Sequence, residues 1–533
     1  MKLLLFRLLV LLVVAFIPIT CFPLIHNGKK DVSPFDYGLT EAKTGVERYV
    51  VLLKTHQAAV RSGVNVDYTG IDTLKIEIPE KSSRIPLTQY NDFNGCVMVV
   101  KNTVKNCWLF VAEKKETPVD VDKRAIDAGD FHHVKPLKHG RYLLLIEDEK
   151  PWVLRRKGRE YGHQRRDILL IENGLAMNIV TMPYNNAYSS PKCSFIKVYD
   201  EPWVMKNLTV KRDTACTSVT HIATISGYND VRISNVTLYT PSSHLVNDRG
   251  IRINNCTNVT LENVRIDGTY SKPNHSGYGV NMNNIWNFKA YRMYGKANWG
   301  IFGNNNINTA KIENSKINRF DIHCYGRNIS FKNVDFFDLY NQFSSVYGTI
   351  SYDHCTFTDF VPVRNGGSYY SYVGHDVIFS DCIFTATPQK SILIKMGNMN
   401  EAIEMRHELI TKCLPNVSIK NMTVNMKDGA NELLVFRCSS GGKKLADIGF
   451  ISKISIDGLT VNSDGETSVN GITLSNVSIQ TKKLVDCQMK NVTINQPHKE
   501  GLSKLFMREA VINTNIPIKG GKVLMRNVKN LKQ

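Results

Sequence analysis

The chain lacks most of the marks that assign a function at sight. It holds no Cys-x-x-Cys and no His/Cys cluster, which excludes the common zinc modules. Beyond residue 21 no apolar run reaches the ~20 residues of a membrane helix, and no heptad pattern marks a coiled coil. Acidic residues are scarce: 48 Asp and Glu stand against 67 Lys and Arg, a net charge of +19. No comparable cluster of carboxylates suggests a calcium site. No cofactor is therefore expected, and a Ca2+ requirement has no support.

What is present begins with a leader. Lys2 and Arg7 precede the apolar run Leu8 to Ile19, the pattern of a signal peptide over residues 1–21. Export is expected: periplasmic, extracellular or lipid-anchored to the envelope. Cys21 ends the run and is the one candidate for a lipid anchor, although Pro18-Ile19-Thr20 makes a poor lipobox. The positive balance suits an anionic partner, and export favours an acidic polysaccharide or anionic lipid over nucleic acid. A solvated basic surface is the plainer account of the same charge. Twelve cysteines in an exported chain invite disulfides. Yet Cys216, Cys256, Cys324, Cys355, Cys382 and Cys438 fall in or beside repeats, where buried thiols are expected, with room for one or two bridges.

The repeats carry the fold. From about residue 203 a phrase recurs: two apolar positions in alternation, an Asn, then two more. Examples are Val231-Arg-Ile-Ser-Asn235-Val-Thr-Leu238, Val259-Thr-Leu-Glu-Asn263-Val-Arg-Ile266, Ile329-Ser-Phe-Lys-Asn333-Val-Asp-Phe336 and Val417-Ser-Ile-Lys-Asn421-Met-Thr-Val424. Alternation marks strands with one buried face. Asn207, Asn235 and Asn263 are 28 residues apart, and such recurrence marks a stacked array in which each turn buries its apolar side on the next. Asn suits the bend because its short amide tolerates a left-handed backbone. His354, Asp381 and Gly458 stand at the matching bend elsewhere.

These phrases resemble the right-handed parallel β-helix of the pectin-lyase-like superfamily, clearly over residues 200–495 and less so over 65–200. The fold expected is all-β: a right-handed parallel β-helix with an N-terminal helical cap. Val32-Ser-Pro-Phe-Asp-Tyr-Gly38, a helix from Val46 to Ser62 ended by Gly63, and a strand from Thr73 to Ile78 resemble the cap of many β-helix polysaccharide enzymes. The chain divides into a signal peptide (1–21), a cap with its helix (32–80), irregular first rungs with a basic loop (81–200), the regular coil (201–495) and a C-terminal cap (496–533). The basic loop, Arg155 to Arg166, reads as a dock for acidic groups or as a charged rung surface.

One strand gathers reactive side chains. In Arg319-Phe-Asp-Ile-His-Cys-Tyr325, alternation puts Arg319, Asp321, His323 and Tyr325 on one face, and these are the candidate catalytic residues. Aligning Gly250-Ile-Arg-Ile, Gly279-Val-Asn-Met and Gly300-Ile-Phe-Gly puts Arg252, Asn281, Phe302 and Ser345 in the column of His323. Asn254, Asn283, Asn304 and Tyr347 then fall in that of Tyr325. Arg252, Asn281, Asn283, Phe302, Asn304, Arg327 and Tyr347 are the candidate substrate-binding residues. Trp299 falls out of phase and is expected in the core or in a loop. Tyr369, Tyr370 and Tyr372 are expected in a loop that overhangs the groove or merely borders it.

Three activities fit. In β-elimination on a uronic polymer a cation offsets the carboxylate, a Tyr or His takes the C5 proton, and Tyr protonates the leaving oxygen; Arg319 or Arg327, His323 and Tyr325 suit those roles. Glycoside hydrolysis normally needs two carboxylates, of which Asp321 is one, with Asp248 and Asp267 less well placed. A non-catalytic protein binding an envelope or capsular glycan is the third. The chain departs from the polygalacturonase-like hydrolases, whose adjacent Asp pair occurs nowhere in it. Cleavage of an acidic polysaccharide by a lyase is the leading expectation.

Overall fold

The computed structural model describes residues 30–79, 84–102, 104, 107–154, 162–187, 189–216, 220–240, 250–268, 278–296, 299–344, 346–365, 376–396, 415–438, 453–463, 471–477, 485–495, 504–508, 510–514 and 522–526. The leader with Cys21, the centre of the basic loop, Asp248 and the Tyr369–Tyr372 segment lie outside them.

The chain opens with a lid. Thr44 and Glu47 form a capping box at the start of the helix Gly45–Ser62, and left-handed Gly63 ends it. The helix buries Tyr49, Leu52, Thr55, His56 and Ala59 against the first rung, whose strand Thr73–Ile78 pairs in parallel with Val97–Asn102. That cover removes an open end of core and sheet edge.

From there the chain winds as a right-handed parallel β-helix. Register pairs run directly from rung to rung. Trp203, Val231, Val259, Phe288, Ala310, Ile329, Ile350, Val377, Val417 and Ile454 make one inward column, and the backbone register runs on through residues 487 and 512. Burying each Val or Ile in it contributes about 1.5–3 kcal/mol. The stacking continues past residue 495, because Lys504–Arg508, Ala510–Thr514 and Lys522–Arg526 add further parallel strands where a cap was expected.

The bends follow the Asn rule. Asn207, Asn235, Asn263, Asn314, Asn333, His354, Asp381, Asn421 and Asn491 all have φ near +50°, and Gly458 has φ +83°. Their amides bond along the axis: Asn235 Nδ2 donates to Asn207 Oδ1 at 3.0 Å, and Asn263 Nδ2 to Asn235 Oδ1 at 2.7 Å. The eight cysteines with described side chains are all free, six of them buried.

The segment expected to hold irregular first rungs is different. Residues 85–113 do enter the coil. The chain then leaves it and builds a five-stranded antiparallel sheet from Thr117–Val119, Arg141–Leu154, Gly162–Glu172, Leu175–Ala176 and Pro191–Lys197. The continuous apolar run Leu143 to Ile146 explains it, because both faces are covered. Leu144 and Ile146 pack under the short helix Lys123–Ala128 with Ile126 and Phe131. Leu143 and Leu145 face the coil, where Trp286 packs against their cluster. Among the described residues no helix is long and apolar enough to cross a membrane.

Candidate functional site

The true register differs by one residue from the glycine alignment. Ile251 pairs with Val280 and Val280 with Phe302, so Gly279 stands beside Ile301, not Gly300. A one-residue slip turns every side chain to the opposite face. Phe302 is accordingly a fully buried core ring, 5.6 Å from Phe288 and 5.3 Å from Phe320. Asn304 also faces inward, between Met282 and Ile322 in register, and its amide has no partner among the described residues. The outward column is Arg252, Asn281, Gly303, Asp321 and Gln342. The amides Asn254, Asn283 and Asn305 are joined at 3.0 and 2.9 Å, and His323 follows them in line, because Asn304 pairs with Ile322.

Asp321 is the hub. Arg319 Nη2 lies 2.5 Å from its Oδ2, and the Tyr278 hydroxyl donates to the same oxygen at 2.7 Å. His323 Nε2 stands 3.2 Å from that oxygen and 2.8 Å from the Tyr278 hydroxyl. The Trp299 indole N–H donates to the Tyr278 oxygen at 2.9 Å. Arg319 Nη1 donates to the Trp299 carbonyl at 3.0 Å, and its guanidinium lies 4.4 Å from the Tyr340 ring centre. Two glycines make the room. A Cβ on Gly303 would sit 2.3 Å from the Tyr278 ring, and one on Gly300, where φ is +147°, would meet the Arg319 stem at 2.6 Å.

The electrostatics follow. Burial pushes the Asp321 carboxyl up, but Arg319, then His323 and the hydroxyl of Tyr278, outweigh it and hold the group at about 2. Burial and then the Asp321 charge drive the Tyr278 phenol well above its usual range. Asp321 is thus a locked carboxylate, unsuited to donate a proton near neutrality, and it orients the rest. Of the four ionisable groups His323 alone keeps an exposed edge, with 18% of its side chain accessible.

Tyr325 is not on this face. It takes the left-handed bend, φ +60°, that Asn255, Asn284 and Asn306 take on preceding rungs, and it is buried under the inserted sheet. Burial raises its phenol, and Arg165 of that sheet opposes the rise. Tyr347 feels the same pair of effects. Arg327 is also engaged there, donating to the carbonyl of Thr181 at 3.2 Å. These three residues dock the sheet onto the coil, with Asn308 donating to Ile179 at 2.8 Å beside them. Arg252 stays on the outward column, half-buried, 5.8 Å from the Trp108 ring centre. Asn281 donates to the Gly303 carbonyl at 2.7 Å, and Asn283 to Asn281 at 3.3 Å.

Sequence reasoning missed Tyr278, Trp299 and Tyr340, which belong to the cluster. It also missed the continuation of the column. Gln342 pairs with Arg364, Arg364 with Lys395 and Lys395 with Arg437. Three cations thus stand on successive rungs, about 4.8 Å apart. Arg364 lies 4.2 Å over the Tyr340 ring, and Lys395 and Arg437 are exposed. Among the described residues, Asp353, His354 and Asp381 alone could jointly hold a metal ion. They sit at and beside a bend column and are largely exposed.

No family model matches the chain, and no curated protein matches its sequence. Solved structures do match. The tailspike protein gp49 from Pseudomonas phage LKA1 is 13% identical at a TM-score of 0.55, over 87% of this chain and 81% of that one. The gp54 tailspike of Acinetobacter baumannii bacteriophage AP22, solved with A. baumannii capsular saccharide, is 12% identical at a TM-score of 0.39, over 94% and 79%. The tailspike gp61 of Pseudomonas phage phi297 is 10% identical at 0.32, over 84% and 80%. At these identities the likeness is one of fold, and the fold is the right-handed parallel β-helix of the pectin-lyase-like type.

Proposed function

We propose that this chain is an exported carbohydrate-active β-helix protein that cleaves an acidic polysaccharide by β-elimination. The observation that carries the reading is one column, in which the Asp321 cluster is followed rung by rung by Gln342, Arg364, Lys395 and Arg437. Like charges placed directly opposite in a sheet destabilise it, and no carboxylate pairs with these three cations among the described residues. A polymer carrying a carboxylate on successive units supplies the missing counter-charge.

In this reading Arg364 offsets the substrate carboxylate, since Arg319 is engaged with Asp321. His323 takes the C5 proton, and Asp321 stabilises the imidazolium that forms. The electron pair forms the C4=C5 double bond as the C4–O bond breaks. The proton returns to the leaving oxygen from the His323–Tyr278 pair. Export rests on residues 1–21, and a lipid tether would rest on Cys21.

The test is incubation with polygalacturonate, alginate and hyaluronan while following the ultraviolet absorbance of unsaturated ends. Activity on one of them, lost in His323→Ala and weakened in Arg364→Ala, is the expected result. New reducing ends without unsaturation would point to hydrolysis instead. A second reading has its own observation. Arg319, Asp321 and Tyr278 are 2%, 0% and 4% exposed, a degree of burial that suits a scaffold which binds an envelope or capsular glycan without cutting it. Tight binding that survives His323→Ala, with no turnover on any polymer, would decide for that reading.

A further inference from the structure

A cleft of about 580 Å3 lies between the inserted sheet and the coil, and Glu116, Glu147, Glu149, Arg166, Lys192 and Asn284 line it. No member of the Asp321 cluster does. Glu147 and Glu149 flank Asp148 on one strand, so they project from the same face, about 6.6 Å apart along it. Glu147 pairs with Arg166 at 2.8 Å, and Glu149 with Lys192 at 2.9 Å. Across from them Glu116 accepts from Asn255 Nδ2 and from the Ser194 hydroxyl, each at 3.0 Å.

An independent observation points to a ligand. Asn284 is 3% exposed, and its Nδ2 donates to Asn255 Oδ1 at 3.0 Å, but its Oδ1 has no donor. At Asn207, Asn235, Asn258 and Asn314 the amide of the next rung fills that role. Here the next rung carries Asn306, and the insertion has drawn it away, for Asn306 Oδ1 accepts the Arg166 backbone N–H at 3.0 Å. The string Glu116–Asn255–Asn284 therefore ends in a buried acceptor at the cleft wall. Leaving such an acceptor empty costs about 1–3 kcal/mol, which a hydroxyl donor relieves.

The charge of the lining narrows the ligand. Glu116, Glu147 and Glu149 face Arg166 and Lys192, three negative groups against two positive, in a chain whose net charge is +19. An anion is disfavoured there. Acceptors and donors alternate around the wall, and a sugar hydroxyl is both. The volume falls within the usual range for small-molecule sites. We propose that this cleft binds an uncharged, hydroxyl-rich saccharide unit of one or two rings, separately from the Asp321 column. The proposal stands whether or not the chain cleaves an acidic polymer.

The experiment is calorimetric titration of the full chain with lactose, maltose, cellobiose and N,N′-diacetylchitobiose, with digalacturonate as the charged control. One neutral disaccharide saturates a single site, and digalacturonate binds there at least tenfold more weakly. Glu149→Gln weakens the neutral ligand about tenfold or more, as expected for a lost bond to a charged acceptor. Ser194→Trp, which fills the cleft, abolishes binding, while His323→Ala leaves it unchanged. Failure of all four sugars to saturate at tens of millimolar overturns the proposal. So does undiminished binding in both Glu149→Gln and Ser194→Trp, or preference for digalacturonate in the same site.

Discussion

Replacing Asp321 by Asn keeps the shape of the side chain and removes its charge. Arg319, 2% exposed, would then keep its carbonyl contact with Trp299 and its two flanking rings, but no anion. An unpaired buried charge of this kind costs about 3–5 kcal/mol. The carboxyl itself gives an independent figure. Its pKa falls from 3.8 to about 2 on folding, worth about 2 kcal/mol at neutral pH. The sign follows from that depression: the contribution is complete above about pH 4 and disappears as pH falls toward 2. Urea titration followed by circular dichroism should therefore show Asp321→Asn destabilised by at least about 2 kcal/mol at pH 7, and the gap should close in acid. Arg319→Met with Asp321→Leu removes both charges and should recover most of the loss. A single variant within about 1 kcal/mol of the parent, or a double variant no better than the single, would falsify the account of this hub.

Gly303→Ala should leave the coil folded but displace the Tyr278 ring, which a Cβ would approach to 2.3 Å; turnover of the acidic polymer should fall by about 10²-fold or more, and unchanged kinetics would separate Tyr278 from the reaction. His56 gives a second acid transition. Burial lowers its pKa from 6.5 to about 4, so the unfolded chain holds the extra proton between those values, and about 3 kcal/mol of stability present above pH 6.5 should fade as pH drops to 4. His56→Phe should flatten that slope; a parent slope confined to pH below 4 would contradict it.

The bends were legible because one physical demand, a left-handed residue, leaves a visible letter. Asn235, Asn263 and Asn333 could be aligned on sight, and His354, Asp381 and Gly458 fell into the same place. The Arg319–His323 strand was legible too, since alternation put three of its four polar groups together. Tyr325 broke the rule by adopting a bend conformation that a bulky side chain rarely takes, so alternation carried it to the wrong face. Phe302 and Asn304 were misplaced by two glycines in Gly300-Ile-Phe-Gly303, of which the second, not the first, lies on the outward column. Tyr278 and Trp299 were invisible as partners because Tyr278 reaches Asp321 across two rungs and Trp299 joins the cluster through Tyr278 and Arg319 on neighbouring rungs. The inserted sheet was hidden because a strand apolar on both faces reads like any buried strand until its partners are known.

The amide strings along the bends have a direction. In these strings the Asn hands its N–H to the preceding turn, and in four of them the first receiver is an acid: Asp92 for Asn207, Glu116 for Asn255, Asp381 for Asn421 and Asp457 for Asn491. These four runs are therefore one-way chains of donors, each anchored by a carboxylate at its leading end. A duplicated turn bearing Asn can join the trailing end without disturbing what came before. A turn inserted ahead of the anchor would strand the acid in mid-run, so the architecture lengthens more readily in one direction than in the other.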